Sequence, residues 1–178
     1  MFAKILVAID ESAASQRAFR SALELAKALK AELLLVHVLD VFSTASPERP
    51  SISFNSYSMA LEKSVQETYQ REWNQYASHQ NALLKQRKEE TEAAGIEASY
   101  EQPYGRPGPA ICETARTHTA DLIIIGSRNH TYLRELVLGS VSNYILHHAP
   151  CSVTVVHSDT RQQAAQAKQS ALAAAGKT

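Results

Sequence analysis

The sequence predicts an α/β fold: an open, mostly parallel sheet of five strands, doubly wound, with helices on both faces. Nearly continuous runs of Ile, Leu and Val are typical of strands that are covered on both sides, and helical patterns separate these runs along the chain. Strands that alternate with helices imply β–α–β crossovers, which make neighbouring strands parallel. A chain of 178 residues fits one domain of this kind.

Five segments are the predicted strands, four of them strongly apolar and one weaker. In chain order they are Lys4–Ile9, Glu32–Leu39, the weaker Ala98–Glu101, Asp121–Ile125 and Ser152–His157.

Three helical patterns of ordinary length lie between the strands. Ser12–Lys30 has its apolar residues on one face, and its first residue offers the N-terminal cap. Pro109–His118 is shorter and has proline in its first turn. Leu133–His148 repeats apolar residues at three- and four-residue steps, and we expect His147 and His148 to cap its carboxyl end.

The region from Ser43 to Gly95 is longer than a simple crossover needs. Ser43–Ser56 is rich in serine and proline, which favours an exposed loop. Met59–Ala94 keeps a helical pattern that would make a helix of about 54 Å, more than one small sheet can cover. We therefore expect this helix to be kinked, broken or extended beyond the domain, with its second half on the sheet. Its first half is either a solvated extension or a surface for self-association or a partner.

Composition disfavours several classes of protein. Lys plus Arg equals Asp plus Glu at 18 each, whereas a dedicated nucleic-acid binder normally has a basic stripe. No segment reaches the ~18 continuous apolar residues of a membrane span, and the apolar start ends in Asp10 without a cleavage site. We therefore expect a cytoplasmic protein. Cys112 and Cys151 lack the spacing of zinc ligands and are expected to be small buried hydrophobes.

A candidate ligand site lies where two strands end. In an open parallel sheet, ligands bind beyond the carboxyl ends of strands whose connections diverge. If the first and fourth strands are neighbours, Asp10 and the loop after Gly126 flank one crevice. Backbone amides of that loop and of the helix start at Gly139 suit phosphate. Asp10 suits ribose hydroxyls or an adenine amino group, or it only caps the first helix with Ser12. Arg128 pairs with phosphate or faces solvent.

Catalytic patterns are weak by comparison. No GxGxxG follows the first strand, and no Ser/His/Asp set or paired carboxylates converge on the Gly126 loop in a recognisable spacing. We predict no catalytic residue and at most slow hydrolysis.

Four segments of residues 1–157 match a known family: KILVAIDES, LLLVHVLD, ADLIIIGSRN and LRELVLGSVSNYILHHAPCSVTVV. On these segments, residues 1–157 resemble the universal stress protein family. Nucleotide-binding members carry glycine, two residues, glycine, nine residues, glycine, and then Ser or Thr. The chain keeps this spacing through Gly126, Gly139 and Ser140, with Asn129 in place of the middle glycine. Asparagine tolerates positive φ better than most residues.

The resemblance implies the strand order 3-2-1-4-5 of the adenine-nucleotide alpha-hydrolase-like folds, and a site for ATP, ADP or AMP with or without Mg²⁺. Asp10 and the backbone of Val38 would hold the nucleoside end, and the glycine loops would surround the ribose and phosphates. The residues so assigned are Asp10, Val38, Ile125, Gly126, Arg128, Asn129, Gly139, Ser140, Val141 and Ser142.

The resemblance to the family also implies a homodimer, built through the last strand near Ser152–His157. The domain would span residues 1–157, with an extension at about 43–80, and residues 158–178 would form a frayed or disordered tail because they lack large apolar residues.

The leading functional hypothesis is a cytosolic, dimeric, nucleotide-responsive regulator in the stress response, with a protein partner that the sequence does not identify and no nucleic-acid or membrane partner. The alternative is a scaffold of the same fold that binds no nucleotide and acts through protein contacts. An adenylyl-transfer or phosphatase-like enzyme is a third hypothesis.

Overall fold

The sheet and its helices follow the predicted order along the chain. A computed structural model describes residues 2–50, 59–127 and 139–157. Its elements are β1 (Lys4–Ala8), α1 (Ala13–Leu29), β2 (Glu32–Val36), α2 (Met59–Ala93), β3 (Ala98–Glu101), α3 (Pro107–Thr117), β4 (Leu122–Gly126), α4 (Ser140–His148) and β5 (Ser152–Val156). The strands form one parallel sheet in the order β3-β2-β1-β4-β5. The predicted fold class and strand order are confirmed.

Two apolar clusters cover the two faces of the sheet, because successive strand residues point to opposite sides. On one face Ile5 and Leu33 pack with Phe19 of α1 and Leu84 of α2. On the other face Leu6, Leu34 and Ile123 pack with side chains of α3 and α4 that include Ile111 and Ile145. Each fully buried side chain of this size contributes about 1.5–3 kcal/mol. These clusters hold the strand ends in place, and the candidate site is built on those ends.

α1 begins and ends where its capping residues predict. The Ser12 hydroxyl accepts the N–H of Ser15 at 3.1 Å, which caps the helix start. Lys30 closes the helix in the left-handed region at φ 55°, and the N–H of Ala31 reaches the carbonyl of Ala26.

α2 is one continuous helix, about 52 Å long at its 35 residues. Its second half packs on β2 and β3, as predicted, through side chains such as the fully buried Leu84. From Glu62 onward, Trp73 is the first large buried side chain of the helix, and its ring contacts those of Tyr69, Tyr76 and Tyr104. From Glu62 to Glu72 every side chain is exposed or only half-buried. The helix therefore is not broken, and its first half extends past the buried part, as one of the three predicted possibilities has it.

Several boundaries differ from the predicted ones. β1 ends at Ala8 and β2 at Val36, before the last apolar residues of each run. Leu39 forms an isolated bridge with Tyr104 and is not part of β2. α3 begins at Pro107, because proline fits the first turn of a helix and needs no backbone hydrogen bond there. The predicted helix start at Leu133, part of the Ser43–Ser56 loop and the tail lie outside the described residues.

The predicted carboxyl-end cap of α4 is present. His148 donates from Nδ1 to the carbonyl of Tyr144 at 2.8 Å and stacks on that ring. The cysteine thiols are free and lie in or against one apolar cluster, with Cys112 buried and Cys151 half-buried. Burial raises the pKa of both thiols.

None of the helices within 2–50, 59–127 and 139–157 has the length and apolar character to cross a membrane.

Candidate functional site

The carboxyl ends of β1 and β4 are adjacent, and the helices that follow them lie on opposite faces of the sheet. β1 pairs with β4 through Ile5–Leu122, Leu6–Ile123 and Val7–Ile124. α1 packs on one face and α4 on the other. This is the point at which connections diverge in an open parallel sheet and leave a crevice for a ligand.

Gly126 brings the end of β4 directly against the start of α1. A Cβ on this residue would lie 2.4 Å from both the carbonyl carbon and the oxygen of Ala14. Only glycine permits so close an approach of two backbones. The contact places Gly126 beside the β1–α1 turn that carries Asp10, so the two predicted flanks of the crevice do meet.

A closed hydrogen-bond network shapes the turn at Asp10. The Asp10 carboxylate accepts the N–H of Ser12 at 2.8 Å, and the Asp10 N–H donates to the hydroxyl of Ser15 at 2.8 Å. The Ser15 hydroxyl in turn donates to the carbonyl of Ala8. Asp10 therefore helps to form the start of α1, and helix capping is one of the two roles predicted for it. A carboxylate has about four acceptor positions, so this contact does not exclude the second role, binding a ligand.

The end of β2 forms the next wall of the crevice. Val38 is half-buried and packs against the cluster that also holds Ile111 of α3 and Ile125 of β4. The chain just beyond it is tied to the segment after β3, because the Leu39 N–H donates to Pro103 and the Leu39 carbonyl accepts from Gly105. Val38 therefore lies on the α3 and α4 face of the sheet.

The start of α4 is the third wall, and no side chain within the described residues caps it. Gly139 is the N-cap residue in an extended conformation with φ −60°, and it makes no side-chain capping bond. Among the described residues, nothing lies within 4 Å of a Cβ built on it. Ser140 is exposed, Val141 is half-buried and packs on the α3 and α4 cluster, and Ser142 is buried. The first N–H groups of a helix lack intrahelical partners and favour an anion there.

The rest of the predicted phosphate loop is described only in part. Ile125 is buried on the α3 and α4 face, and the N–H of buried Ser127 donates to the carbonyl of Val156 on β5. Arg128 and Asn129 lie outside the described residues. Their assignments to the site stay predictions.

His37 is a residue that the sequence-based prediction missed. Its Nδ1 lies 2.8 Å from the carbonyl of Ile9 and must carry the hydrogen, because a carbonyl only accepts. Nε2 is buried and has no partner among the described residues. Burial lowers the pKa of the ring, against the opposing effects of the Ile9 bond and of Asp10 and Glu11. The one available signal was a lone polar residue within the apolar run of β2.

The two sides of the crevice differ in charge. Burial raises the pKa of Tyr76 on α2, and the carboxylates of Glu11, Asp40 and Asp10 raise it further, so these acidic groups gather where β1 and β2 end. The start of α4 instead carries the positive end of a helix dipole. A ligand with a polar uncharged end and an anionic end therefore fits with its anionic end at α4.

Among the described parts of the chain there is no group of three or more His, Cys, Asp or Glu side chains that could hold a metal ion.

Comparison with known proteins identifies the family. The model of the universal stress protein family matches residues 1–157. The chain belongs to the universal stress protein family. A universal stress protein of Bacillus subtilis is 32% identical over 157 residues, which cover 88% of this chain and 99% of that protein.

Solved structures of the family share the fold. The universal stress protein from Lactobacillus plantarum is 27% identical with a TM-score of 0.64, over 87% of this chain and 97% of that one. A universal stress protein in complex with cAMP matches with 20% identity and a TM-score of 0.60, over 88% and 97% of the two chains. A family member from Arabidopsis thaliana with AMP bound matches with 19% identity and a TM-score of 0.58, over 89% and 94%.

Proposed function

We propose that this universal stress protein binds ATP or a related adenine nucleotide at the carboxyl edge of its sheet, and that it acts as a cytosolic, dimeric, nucleotide-responsive regulator. The observation that carries the proposal is the start of α4. Among the described residues, its N-cap, Gly139, has no side-chain capping bond and nothing within 4 Å of a Cβ built on it, and it would border the same strand-end crevice as Asp10 and Val38.

The nucleotide would lie across the crevice with its ends in different surroundings. The Asp10 carboxylate suits the ribose hydroxyls or the adenine amino group, because both are donors. The backbone of Val38 would contact the nucleoside. The N–H groups at Ser140 and Val141 suit the phosphates, which gain from the helix dipole and stay away from the acidic groups near β1 and β2.

The remaining assigned residues complete this proposal. Ile125 and Ser142 support the crevice from beneath, since both are buried. Arg128 would pair with phosphate, and Asn129 would take the conformation of the glycine that the family pattern has there. Mg²⁺ would be needed only if a phosphate approached Asp10, where it would screen two negative groups from each other.

Two of the similar structures hold adenine nucleotides, namely cAMP and AMP. At 20% and 19% identity these likenesses concern the fold. They support the proposal to the extent that this fold accommodates an adenine nucleotide in those proteins.

The dimer would form through β5, the edge strand that pairs only with β4 in the sheet. Its apolar side chains, including Val153 and Val155, are half-buried rather than buried. An edge strand offers unpaired backbone groups to a second strand, so a second copy could extend the sheet here. The protein would then act as a regulator because nucleotide binding would change its dimerisation.

The second candidate function is a scaffold that binds no nucleotide. The first half of α2 favours it, because every side chain from Glu62 to Glu72 is exposed or half-buried and so offers surface to a partner.

Isothermal titration of the purified protein with ATP, ADP and AMP, with and without Mg²⁺, separates the two candidates. We expect saturable binding of at least one nucleotide, weakened in Asp10→Ala and unchanged in Glu24→Gln, which alters an exposed carboxylate on α1. If no heat of binding were measured at millimolar nucleotide, the scaffold function would be better supported than nucleotide binding. Hydrolysis assayed on the same samples tests the enzyme hypothesis, and we expect at most slow turnover.

A further inference from the structure

Phe42 is an exposed aromatic ring at the carboxyl edge of the sheet. It lies in the turn after β2, where its N–H donates to the Asp40 carboxylate at 2.9 Å, and 68% of its surface is exposed. A single exposed ring is common on protein surfaces, so its neighbours decide whether it can contact a ligand.

Two guanidinium groups lie over this ring. The Cζ of Arg106 is 5.2 Å from the ring centroid, and that of Arg49 is 5.6 Å. The ion pairs of arginine among the described residues use Arg87 and Arg116 instead. Arg49 and Arg106 thus form a flat, positive, stacked surface with Phe42 and are not neutralised by a carboxylate in the part of the chain that the structure describes.

This stacked surface borders the nucleoside end of the candidate site. Arg106 is the N-cap residue of α3, and Ile111 of the same helix packs in the cluster that contains Val38. Leu39, between Val38 and Phe42, is tied to Tyr104 and Gly105, the residues just before Arg106. The segment after β2 and the segment after β3 therefore place Phe42 and Arg106 next to one another, beyond the ends of these two strands.

We propose that Phe42 and Arg106 determine the specificity of the site by stacking against the base of the bound nucleotide. This proposal rests on the proposed function and adds to it a reason to prefer ligands with an aromatic base over base-free phosphates. Aromatic rings and guanidinium planes are the surfaces on which bases stack. A base would stack on the Arg106 guanidinium or take the place of Arg49 over the Phe42 ring.

The test compares ATP with inorganic tripolyphosphate by calorimetry on the full chain. We expect Phe42→Ala to bind ATP about tenfold more weakly, the equivalent of ~1.4 kcal/mol, and to bind tripolyphosphate as the unchanged protein does. Phe42→Trp should retain ATP affinity because it keeps an aromatic plane. Phe2→Ala, which removes another partly exposed phenylalanine near the amino end of β1, should leave both affinities unchanged.

The outcomes distinguish this proposal from the proposed function. If the unchanged protein binds ATP and Phe42→Ala binds it equally well, the stacking role is wrong and nucleotide binding stands. If Phe42→Ala weakens ATP and tripolyphosphate by the same factor, the residue supports the site generally and does not read the base. If the unchanged protein binds no nucleotide, both proposals fall. If Phe42→Ala alters only the dimer state, the surface is a protein contact and the stacking role is again wrong.

Discussion

Gly126 and Gly139 belong to one spacing pattern in the sequence, yet their surroundings in the fold are opposite. At Gly126 the end of β4 presses on the first turn of α1, and a Cβ would lie 2.4 Å from Ala14 backbone atoms. At Gly139 the start of α4 is open, and a Cβ would meet none of the described atoms within 4 Å. The first glycine is required by packing within the chain. The second leaves space that none of the described residues fills.

Within this one motif, Gly126 therefore serves folding, whereas Gly139 leaves room for binding. The β4 side of the crevice, together with the Asp10 turn, is built from contacts that exist without a ligand. The α4 side presents N–H groups that no side chain of the described segments caps. Substitutions at the first side should therefore change stability, and substitutions at the second should change affinity.

The largest effect is expected for Gly126→Ala. The new methyl group would overlap the Ala14 backbone, which is not free to move because it lies in α1, so the free energy of unfolding should fall by about 3 kcal/mol. Urea denaturation measures it. Gly139→Ala is the matched control and should cost no more than about 1 kcal/mol, the typical effect at a helix N-cap. Equal losses at the two positions would mean that the contrast between them is wrong.

Gly139→Val should have the next largest effect, on affinity. A β-branched side chain would fill the space in front of α4 and keep phosphate from its N–H groups, so we expect ATP affinity to fall about 100-fold, or ~2.7 kcal/mol. Calorimetric titration measures it, and circular dichroism checks that the fold persists. Unchanged affinity in the folded variant would show that phosphate binds elsewhere.

Ser15→Ala tests whether the hydrogen bonds of Ser15 stabilise the turn at Asp10. The buried hydroxyl accepts the Asp10 N–H, and its loss leaves that donor without this partner, which costs about 1–2 kcal/mol of stability. Ser21→Ala, also on α1 and half-buried, should change stability by less than about 0.5 kcal/mol. A Ser15→Ala variant as stable as the unchanged protein would indicate that the turn is not built by this network.

His37→Gln should alter how stability depends on pH. Burial lowers the pKa of His37 below its ordinary value of 6.5 in the folded chain, so the unfolded chain binds the proton more readily. Stability relative to the variant is then constant above about pH 6.5 and falls as the pH drops toward the folded-state pKa, by at most ~1.4 kcal/mol per pH unit. Urea denaturation between pH 5 and 8 tests this. If lowering the pH instead stabilised the wild-type protein relative to His37→Gln, the dependence would have the opposite sign and would contradict this prediction.

The fold was predictable because its signals are local and periodic. Apolar runs such as Lys4–Ile9 identify buried strands, and caps such as Ser12 identify helix starts. The weaker β3 and the long α2 were also visible from patterns along the chain. Strand ends were less accurate, because Leu39 looks like a strand residue but pairs only through an isolated bridge to Tyr104.

The candidate site was predictable only where spacing carries the information. The positions of Gly126 and Gly139 followed from spacing, but their different physical roles did not, since these depend on what α1 places nearby. His37, Phe42 and Arg106 were missed for the same reason. Their contacts join segments far apart in the sequence, and no periodic pattern records such contacts.

Backbone amide chemical shifts of the ¹⁵N-labelled chain during titration with ATP test the central claim most directly. If the start of α4 receives the phosphates, the resonances of Gly139, Ser140 and Val141 should move saturably, with the same midpoint as calorimetry, and tripolyphosphate should move them too. Saturable binding that leaves these three amides unmoved would contradict the claim.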